Sequence, residues 1–477
     1  MTTAFPPHSR ERAIFCNRTL NLRAISAIGY DMDYTLVQYD AVEWEKLAYG
    51  YATHSLRQQG WPVDELVFDP DMMIQGLIID TRDGNLLKVN RFGYVKTGFH
   101  GTKPIAFEEQ RRLYGRTIVD HREPRFVFLS TLFSVSEACL FAQLVDLWDA
   151  GELPAVPDYY DLYRRTRQTI DEQHRGGKLK AEIATDFDRF VQRDPDLCTA
   201  LLDQCDAGKK LLLITNSDWP YTRDMMAFAL DPYLPGGMTW RDLFDLIIVS
   251  AHKPDFFSSR SPLLEVVDES GLLKPAQDGP ASGRVYFGGN ASIVEEYLGL
   301  SGQQILYVGD HFFGDVHATK STLRWRTALI VRELEAELVA AAAFEQPQAE
   351  LARLMAEKED LEARYCHVRL GLQRQRKGRR RHGEQPTSEL KRDLENLRGL
   401  LAKLDDRIAP LAGTASRLGN ENWGPIMRAG NDKSYIAHLV ERHADIYTSR
   451  VSNLLSETPF AYFRSPRGTL PHDFDRG

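Results

Sequence analysis

Cysteine is scarce in this chain, and long apolar runs are missing. The five cysteines among 477 residues are scattered, odd in number and contain no C-x-x-C pair. This pattern argues against a disulfide framework and against a zinc cluster, and it favours a reducing compartment. The chain is long enough to bury a sizeable core, either as one large domain or as two.

The longest apolar stretch, residues 338–344, is too short to span a membrane. Residues 1–12 contain proline and charged residues but no apolar signal core. The net charge of −8 is only mildly acidic and gives no general reason to expect nucleic-acid binding. We therefore expect a cytoplasmic protein with neither a membrane nor a nucleic acid as partner.

Short apolar runs recur along the chain, as is typical of strands that are covered on both faces. These runs occupy residues 24–30, 210–215, 246–249, 285–287, 305–308 and 327–331. Helical patterns separate many of them. The alternation predicts an α/β fold built on a doubly wound, mostly parallel sheet.

A long segment of different character separates the first apolar run from the second. It contains a hairpin signal at Asp83-Gly84-Asn85 and helix-rich sequence from about Glu137 to Ala207. We expect residues 37–207 to form an inserted α+β cap domain. Residues 1–36 and 208–345 would then form the core that carries the chemistry.

The C-terminal third changes character again. Apolar residues at alternating steps of three and four predict an antiparallel helical hairpin over residues 346–412. Its tip, residues 374–382, is basic, which is compatible with an anion or nucleic-acid contact, but the run is short and lacks aromatic residues, which favours a solvated loop. Residues 413–477 regain aromatic residues and are expected to return to the core or to form an oligomer interface.

The motif Asp31-Met-Asp33-Tyr-Thr35 follows the first apolar run. Two carboxylates at the carboxyl end of a buried strand lie where open α/β sheets bind ligands. Because strand alternation points the two side chains apart, the backbone must bend if both serve one site. The pair suits a nucleophile, a general acid/base and a divalent cation. A strand-end turn with aspartate as a local cap is the alternative.

Three further polar motifs follow other apolar runs. Thr215-Asn216-Ser217-Asp218 can direct a hydroxyl and backbone N–H groups towards an anion, or it can cap a helix. Lys253 can neutralise a phosphoryl oxygen together with a carboxylate, or it can be a surface charge. Gly309-Asp310-His-Phe-Phe-Gly-Asp315 offers the hard oxygen ligands that Mg²⁺ needs, or it is an Asp/Gly turn.

These four motifs, in this order, resemble those of the haloacid dehalogenase-like (HAD-like) phosphohydrolases. The resemblance implies a HAD-like Rossmannoid core in which Asp31 forms an aspartyl-phosphate and Asp33 acts as general acid and base. It also implies that Thr215 and Lys253 hold the phosphoryl group. The implied Mg²⁺ ligands are Asp31, the backbone carbonyl of Asp33, Asp310 and Asp315.

The residues within these motifs also resemble those of the cytosolic purine 5′-nucleotidases of the IMP/GMP-preferring branch. This likeness extends to Gly84-Asn-Leu-Leu-Lys-Val89, to Thr131-Leu-Phe133, and to the spaced residues between Arg167 and Lys180. The predicted substrate-binding residues are Phe133, Arg167, Asp171, His174, Lys180, Asn216, Ser217 and Asp218. Arg167 and Asp171 are four residues apart and share a helix face, so a surface ion pair is the alternative to substrate binding.

The resemblance predicts a Mg²⁺-dependent 5′-nucleotidase that hydrolyses IMP, GMP or related purine nucleoside monophosphates. Phosphate transfer from the aspartyl-phosphate to another nucleoside is a reasonable side reaction, and a homo-oligomer (dimer or tetramer) is expected. A HAD phosphatase for another small phosphate ester is one alternative. Another is a non-catalytic scaffold acting through the helical hairpin, in which decayed catalytic motifs would be expected.

Overall fold

The computed structural model describes residues 9–120, 122–131, 134–175, 177–379 and 385–466, and the following statements concern those residues. Their strands are β1 Phe15–Cys16, β2 Leu20–Asn21, β3 Ala27–Tyr30, β4 Gln38–Tyr39, β5 Ile78–Asp80, β6 Asn85–Val89, β7 Val95–His100, β8 Lys103–Pro104, β9 Phe126–Phe128, β10 Val191–Gln192, β11 Lys210–Ile214, β12 Leu246–Val249, β13 Leu263–Val266, β14 Leu273–Pro275, β15 Val285–Gly288, β16 Ile305–Gly309, β17 Arg326–Ile330, β18 Arg428–Ala429, β19 Asp432–Lys433, β20 Ile446–Thr448 and β21 Tyr462–Phe463.

The α-helices are α1 Ala41–Gln58, α2 Phe107–Tyr114, α3 Val135–Asp149, α4 Tyr159–Arg175, α5 Lys178–Thr185, α6 Phe187–Phe190, α7 Pro195–Asp206, α8 Trp219–Leu230, α9 Ala291–Leu298, α10 Ala318–Leu323, α11 Leu334–Ala343, α12 Glu345–Arg376, α13 Thr387–Ala415 and α14 Tyr435–His443. A turn of π-helix, Phe312–His317, leads into α10. Among the described residues, no helix is both long enough and apolar enough to cross a bilayer.

Two compact units make up the chain. The first contains Met1–Glu335 together with Ile426–Gly477, and the second is Ala336–Pro425. The larger unit holds every strand that bears on the site.

The main sheet has ten strands in the order β1-β20-β17-β16-β3-β11-β12-β15-β13-β14. All pairs from β20 to β15 are parallel, and antiparallel pairs occur only at the two edges. The chain builds outwards from β3 on one side through β11, β12 and β15, and on the other through β16 and β17. The predicted doubly wound α/β fold is therefore confirmed, and its strand order reverses beside β3, where such sheets bind ligands.

Apolar packing on both faces explains why the central strands contain almost no polar residue. Along β11, Leu211 and Leu213 face one apolar cluster, while Leu212 and Ile214 face another. All four side chains are fully buried. Strand alternation thus places successive residues in two separate cores.

The inserted segment contains an antiparallel sheet in the order β8-β7-β6-β5-β9. Its β5–β6 hairpin, in which Ile78 pairs with Leu87, turns at the predicted Asp83-Gly84-Asn85 signal. Helices α1, α3 and α4 pack together beside it. The antiparallel pair of β4 and β10 joins the two ends of the insertion, with Tyr39 opposite Val191. The predicted α+β cap is confirmed as part of the fold.

The smaller unit contains the predicted helical hairpin, in which α12 and α13 pack against each other. Buried apolar residues recur in α13 at Leu390, Leu397 and Leu404, seven residues apart, and this spacing is typical of a helix pair. Leu397 and Leu404 pack in one cluster with Leu354 and Leu361 of α12. Part of the basic tip, residues 380–384, lies outside the described residues.

Candidate active site

The four polar motifs meet at the carboxyl edge of the main sheet. Asp31 follows β3, Thr215 follows β11, Lys253 lies in the loop after β12, and Asp310 follows β16. Because β3 lies between β11 and β16, the loops after these parallel strands must converge. Motifs that are far apart in the chain therefore line a single site.

A buried lysine joins two of these motifs. The Lys253 Nζ lies 2.8 Å from Oδ1 of Asp31 and 2.9 Å from Oδ1 of Asp315, and its side chain is only 3% exposed. It also donates a hydrogen bond to the Tyr307 hydroxyl at 3.0 Å, and that hydroxyl donates to the carbonyl of Ile214. An ammonium group has three donors, so each has a partner here.

Burial and like charges dominate the electrostatics of this cluster. Burial, opposed by Lys253 and assisted by Asp315 and Asp33, raises the pKa of Asp31 to about 7. Burial and the charges of Asp31 and Asp315 also raise the pKa of Asp310 well above its usual range. Burial works against the charge of Lys253, but the two carboxylates outweigh it and raise the pKa of that amine. The site therefore holds more acidic groups than its one lysine neutralises.

Three of these acids are close enough to share a cation. Carboxylate oxygens of Asp31, Asp310 and Asp315 lie within 4.8 Å of one another. Mg²⁺ prefers a few hard oxygen ligands together with water, so this donor set fits it. Gly309 makes room for the arrangement, because a Cβ there would collide with the Asp315 carboxylate.

Asp33 lies beside this cluster, with both carboxylate oxygens hydrogen-bonded. Its Oδ1 accepts from the Tyr39 hydroxyl at 2.5 Å, and its Oδ2 accepts from the Ser217 hydroxyl at 2.6 Å. The strand ends at Tyr30, and a turn begins at Met32, whose carbonyl accepts from the N–H groups of Thr35 and Val37. The bend that strand alternation demands therefore lies between the two aspartates, and within the same turn Tyr34 has a φ of +52°. Such a value is uncommon for a bulky residue and redirects the chain at this point.

The residues from Thr215 to Asp218 have different roles, some at the site and one as a helix cap. The Thr215 hydroxyl is fully buried and accepts from the backbone N–H of Ser217. The Asn216 side chain holds the loop that contains Lys253. Its Oδ1 accepts from the backbone N–H of Lys253 at 2.6 Å, and its Nδ2 donates to the backbone carbonyl of Lys253 at 3.0 Å. Asp218 caps α8 by accepting from the N–H of Tyr221. In the structure, the helix-cap alternative therefore describes Asp218, whose predicted substrate contact stays a prediction.

The cap reaches the core through Lys180. Its Nζ donates to the Ser217 hydroxyl at 2.9 Å, so a cap residue and Asp33 share one serine. Arg167 pairs with Asp171 at 3.2 Å and with buried Glu137 at 2.7 Å. The Glu137 side chain is only 1% exposed, so this ion pair anchors Arg167 inside the cap. Arg167 is thus more than an isolated surface pair.

Two predicted substrate residues cannot be placed. Phe133 lies outside the described residues, and so does the side chain of His174, although its backbone belongs to α4. Their predicted roles remain predictions.

The sequence did not point to four residues that hold the site together: Tyr39, Glu137, Tyr221 and Tyr307. Gly29 is a signal that could have indicated Tyr307, because an isolated glycine in a strand often marks a close approach. A Cβ on Gly29 would lie 2.8 Å from the Tyr307 ring. The other three give no comparable signal, since their partners come from distant segments.

Comparison with solved structures finds similarity to HAD-superfamily proteins. A HAD-superfamily hydrolase from Geobacter sulfurreducens PCA is 13% identical and aligns over 64% of this chain and 87% of its own, with a TM-score of 0.24. A HAD phosphatase from Thermococcus onnurineus is 15% identical and aligns over 65% of this chain and 87% of its own, with a TM-score of 0.26. At these scores the likeness carries no conclusion about function.

Sequence relatives match over nearly the whole chain. A 5′-nucleotidase domain-containing protein of Dictyostelium discoideum is 29% identical over 97% of this chain and 75% of its own length. The 5′-nucleotidase domain-containing protein 2 of Homo sapiens is 27% identical over 97% of this chain and 85% of its own length. The family model described as "5′ nucleotidase family" matches residues 14–475. A match of this extent includes the core motifs and the cap, so the chain belongs to the 5′ nucleotidase family and is a hydrolase.

Proposed function

We propose that the protein is a Mg²⁺-dependent 5′-nucleotidase acting on purine nucleoside monophosphates of the IMP and GMP type. The observation that carries the proposal is the contact between Asp31 and buried Lys253 at the carboxyl edge of the sheet. A nucleophilic carboxylate beside a fixed cation is what phosphoryl transfer from a dianion requires. The cap residues above this edge supply the means to select a nucleotide.

Asp31 attacks the phosphorus, and the bond from phosphorus to the 5′-oxygen breaks. Asp33 in its protonated form gives its proton to the departing 5′-oxygen, which leaves as the nucleoside hydroxyl. The resulting carboxylate of Asp33 then takes a proton from water, whose oxygen attacks the phosphorus of the aspartyl-phosphate. Inorganic phosphate departs and Asp31 is restored. Lys253 and Thr215 hold the phosphoryl oxygens throughout.

Asp31, Asp310 and Asp315 would hold the Mg²⁺, consistent with their mutual spacing and their excess negative charge. When bound, the ion supplies charge neutralisation at the phosphoryl oxygens. Lys253 contacts Asp31 and Asp315 and so keeps both carboxylates in place for this role.

The purine assignment is supported by the pair of Arg167 and Asp171. A 6-oxopurine presents an acceptor at O6 next to a donor at N1, whereas adenine presents the opposite pattern. An arginine can donate to the first group while an aspartate accepts from the second. Arg167 is held by Glu137 and remains 47% exposed, so part of it is accessible to a ligand.

We expect Asp171→Asn to lose the discrimination between 6-oxopurine and adenine nucleotides. An asparagine side chain can accept through its oxygen or donate through its amide nitrogen, so it can pair with N1 of either base. We expect the ratio of kcat/KM for IMP over AMP to fall by about tenfold or more. The measurement is phosphate release with Mg²⁺ from IMP, GMP, AMP, CMP and UMP. Glu172→Gln, at the neighbouring and exposed position, is the matched control and should leave the ratio unchanged.

Phosphate release by the unmodified protein without a preference for purines would contradict the purine assignment. It would favour a phosphatase for another small phosphate ester. Release of no phosphate from any of these nucleotides, by folded protein with metal present, would overturn the proposed function as a whole.

We expect Mg²⁺ to raise the melting temperature, and more strongly at pH 8 than at pH 6. The pKa of Asp31 is raised to about 7, so the folded protein without metal retains a proton that the unfolded chain has lost above pH 4. Without metal, this group therefore costs stability as the pH rises towards 7. Mg²⁺ competes with that proton, so its stabilisation grows as the pH rises.

Thermal unfolding with Mg²⁺ and with EDTA at both pH values measures this effect. Asp310→Asn should remove most of the Mg²⁺-dependent shift, because it removes one of the three ligands. An equal shift in the variant and the unmodified protein would exclude this cluster as the metal site.

A further inference from the structure

We propose that Tyr39 and Tyr221 form a phenol pair that positions Asp33 for proton transfer to the leaving group. The Tyr39 hydroxyl donates to Oδ1 of Asp33 at 2.5 Å. It lies 3.0 Å from the hydroxyl of Tyr221. Both tyrosines are buried, with exposures of 2% and 6%. This inference rests on the proposed function, because it assigns Asp33 its part in the reaction.

The two hydroxyls fix each other's direction. A phenol hydroxyl both donates and accepts, but it has only one proton to give. Because Tyr39 gives its proton to Oδ1 of Asp33, the hydrogen bond between the two phenols is one that Tyr221 donates and Tyr39 accepts. Tyr221 thus keeps the Tyr39 hydroxyl directed at Asp33.

Packing holds the phenols in place. The Tyr39 ring lies 4.6 Å from the Trp44 ring and 5.1 Å from the Tyr34 ring, measured between centroids. Tyr39 belongs to β4, where the chain leaves the core for the cap, and it pairs with Val191 of β10. Its hydroxyl can therefore move little without displacing the connection between cap and core.

A second contact couples Tyr221 to the cap. The Lys180 Nζ lies 4.7 Å from the centroid of the Tyr221 ring and also donates to Ser217. Ser217 in turn donates to the other oxygen of Asp33. The carboxyl group is thus held from two sides, and one cap lysine contacts both supports. General acid catalysis requires a fixed orientation of the acid, and this arrangement supplies it by restraining the rotation of the Asp33 carboxyl.

A structural role alone would also explain buried, hydrogen-bonded tyrosines, since buried hydroxyls need partners. The two roles differ in their dependence on the leaving group. A poor leaving group needs a proton from Asp33 as its bond breaks, whereas p-nitrophenolate departs well without one. Loss of positioning should therefore slow phenyl phosphate far more than p-nitrophenyl phosphate. General loss of structure should slow both alike.

The test compares kcat/KM for phenyl phosphate and p-nitrophenyl phosphate, because this parameter reports the steps through departure of the leaving group. For Tyr39→Phe we expect the phenyl phosphate value to fall by about a hundredfold and the p-nitrophenyl phosphate value by less than about tenfold. Tyr221→Phe should show the same trend with a smaller effect. Tyr159→Phe, which removes a phenol that donates to Asp149 at 2.7 Å within the cap, is the matched control and should leave the ratio unchanged.

Equal losses for the two esters, or no loss in Tyr39→Phe, would overturn the positioning role. Aryl phosphates need no base recognition, so the outcome is separable from the substrate assignment. Hydrolysis of aryl phosphates but not of nucleotides by the unmodified protein would refute the nucleotidase proposal alone. Hydrolysis of neither would refute both.

Discussion

Asp31→Asn is expected to abolish phosphate release. The amide has nearly the same shape as the carboxylate, but it is not a competent nucleophile and cannot form the acyl phosphate. We expect kcat to fall by about 10⁴-fold or more, as is usual when a covalent nucleophile is removed. Burial and neighbouring acids already disfavour the ionised form of Asp31, because they raise its pKa to about 7. The neutral amide should therefore be compatible with folding.

The experiment measures phosphate release with Mg²⁺ and checks folding by circular dichroism and thermal unfolding. Asp245→Asn is a matched control, because Asp245 directly precedes β12 and so lies at the amino edge of the sheet, where it pairs with Lys210. We expect that variant to keep its activity. If Asp31→Asn retained more than a few per cent of the rate, Asp31 would not be the nucleophile.

Lys253→Met is expected to lower both activity and stability. The substitution leaves Asp31 and Asp315 buried without their shared cation, and removal of one partner from such a buried group costs roughly 3–5 kcal/mol. It also removes the cation that neutralises the phosphoryl oxygens, so we expect kcat/KM to fall by about 10³-fold. Denaturant unfolding in EDTA measures the first effect, and phosphate release from folded protein measures the second.

Two further variants separate these effects. In the double variant Lys253→Met, Asp315→Asn, one of the two unpaired acids becomes neutral, so stability should recover in part while activity stays lost. Lys209→Met provides the matched control. Lys209 is a buried lysine that donates to the carbonyls of Leu22 and Ile25, so its loss should destabilise the protein without affecting the chemistry. Full activity in Lys253→Met would refute its role at the phosphoryl group.

The fold and the main site motifs were accessible from the sequence for one physical reason. Strands buried on both faces must be apolar throughout, so β3, β11, β12 and β16 are visible as apolar runs, and the polar residues that follow them mark the carboxyl edge. Asp31, Thr215, Lys253 and Asp310 were located in this way. The short strand β20, which pairs with β17, was not predicted, because its Ile446–Thr448 segment is too short to show a pattern.

The sequence by itself determined which residue types follow each strand, and hence the class of chemistry and the family. Only the tertiary structure decided which partners each of these residues contacts. It assigned Asp218 to a helix cap, gave Lys253 the two partners Asp31 and Asp315, and placed Tyr39 and Ser217 on the two oxygens of Asp33. Local patterns encode burial and turns, whereas hydrogen bonds between distant segments depend on side-chain directions that are defined only after the sheet and the cap have packed.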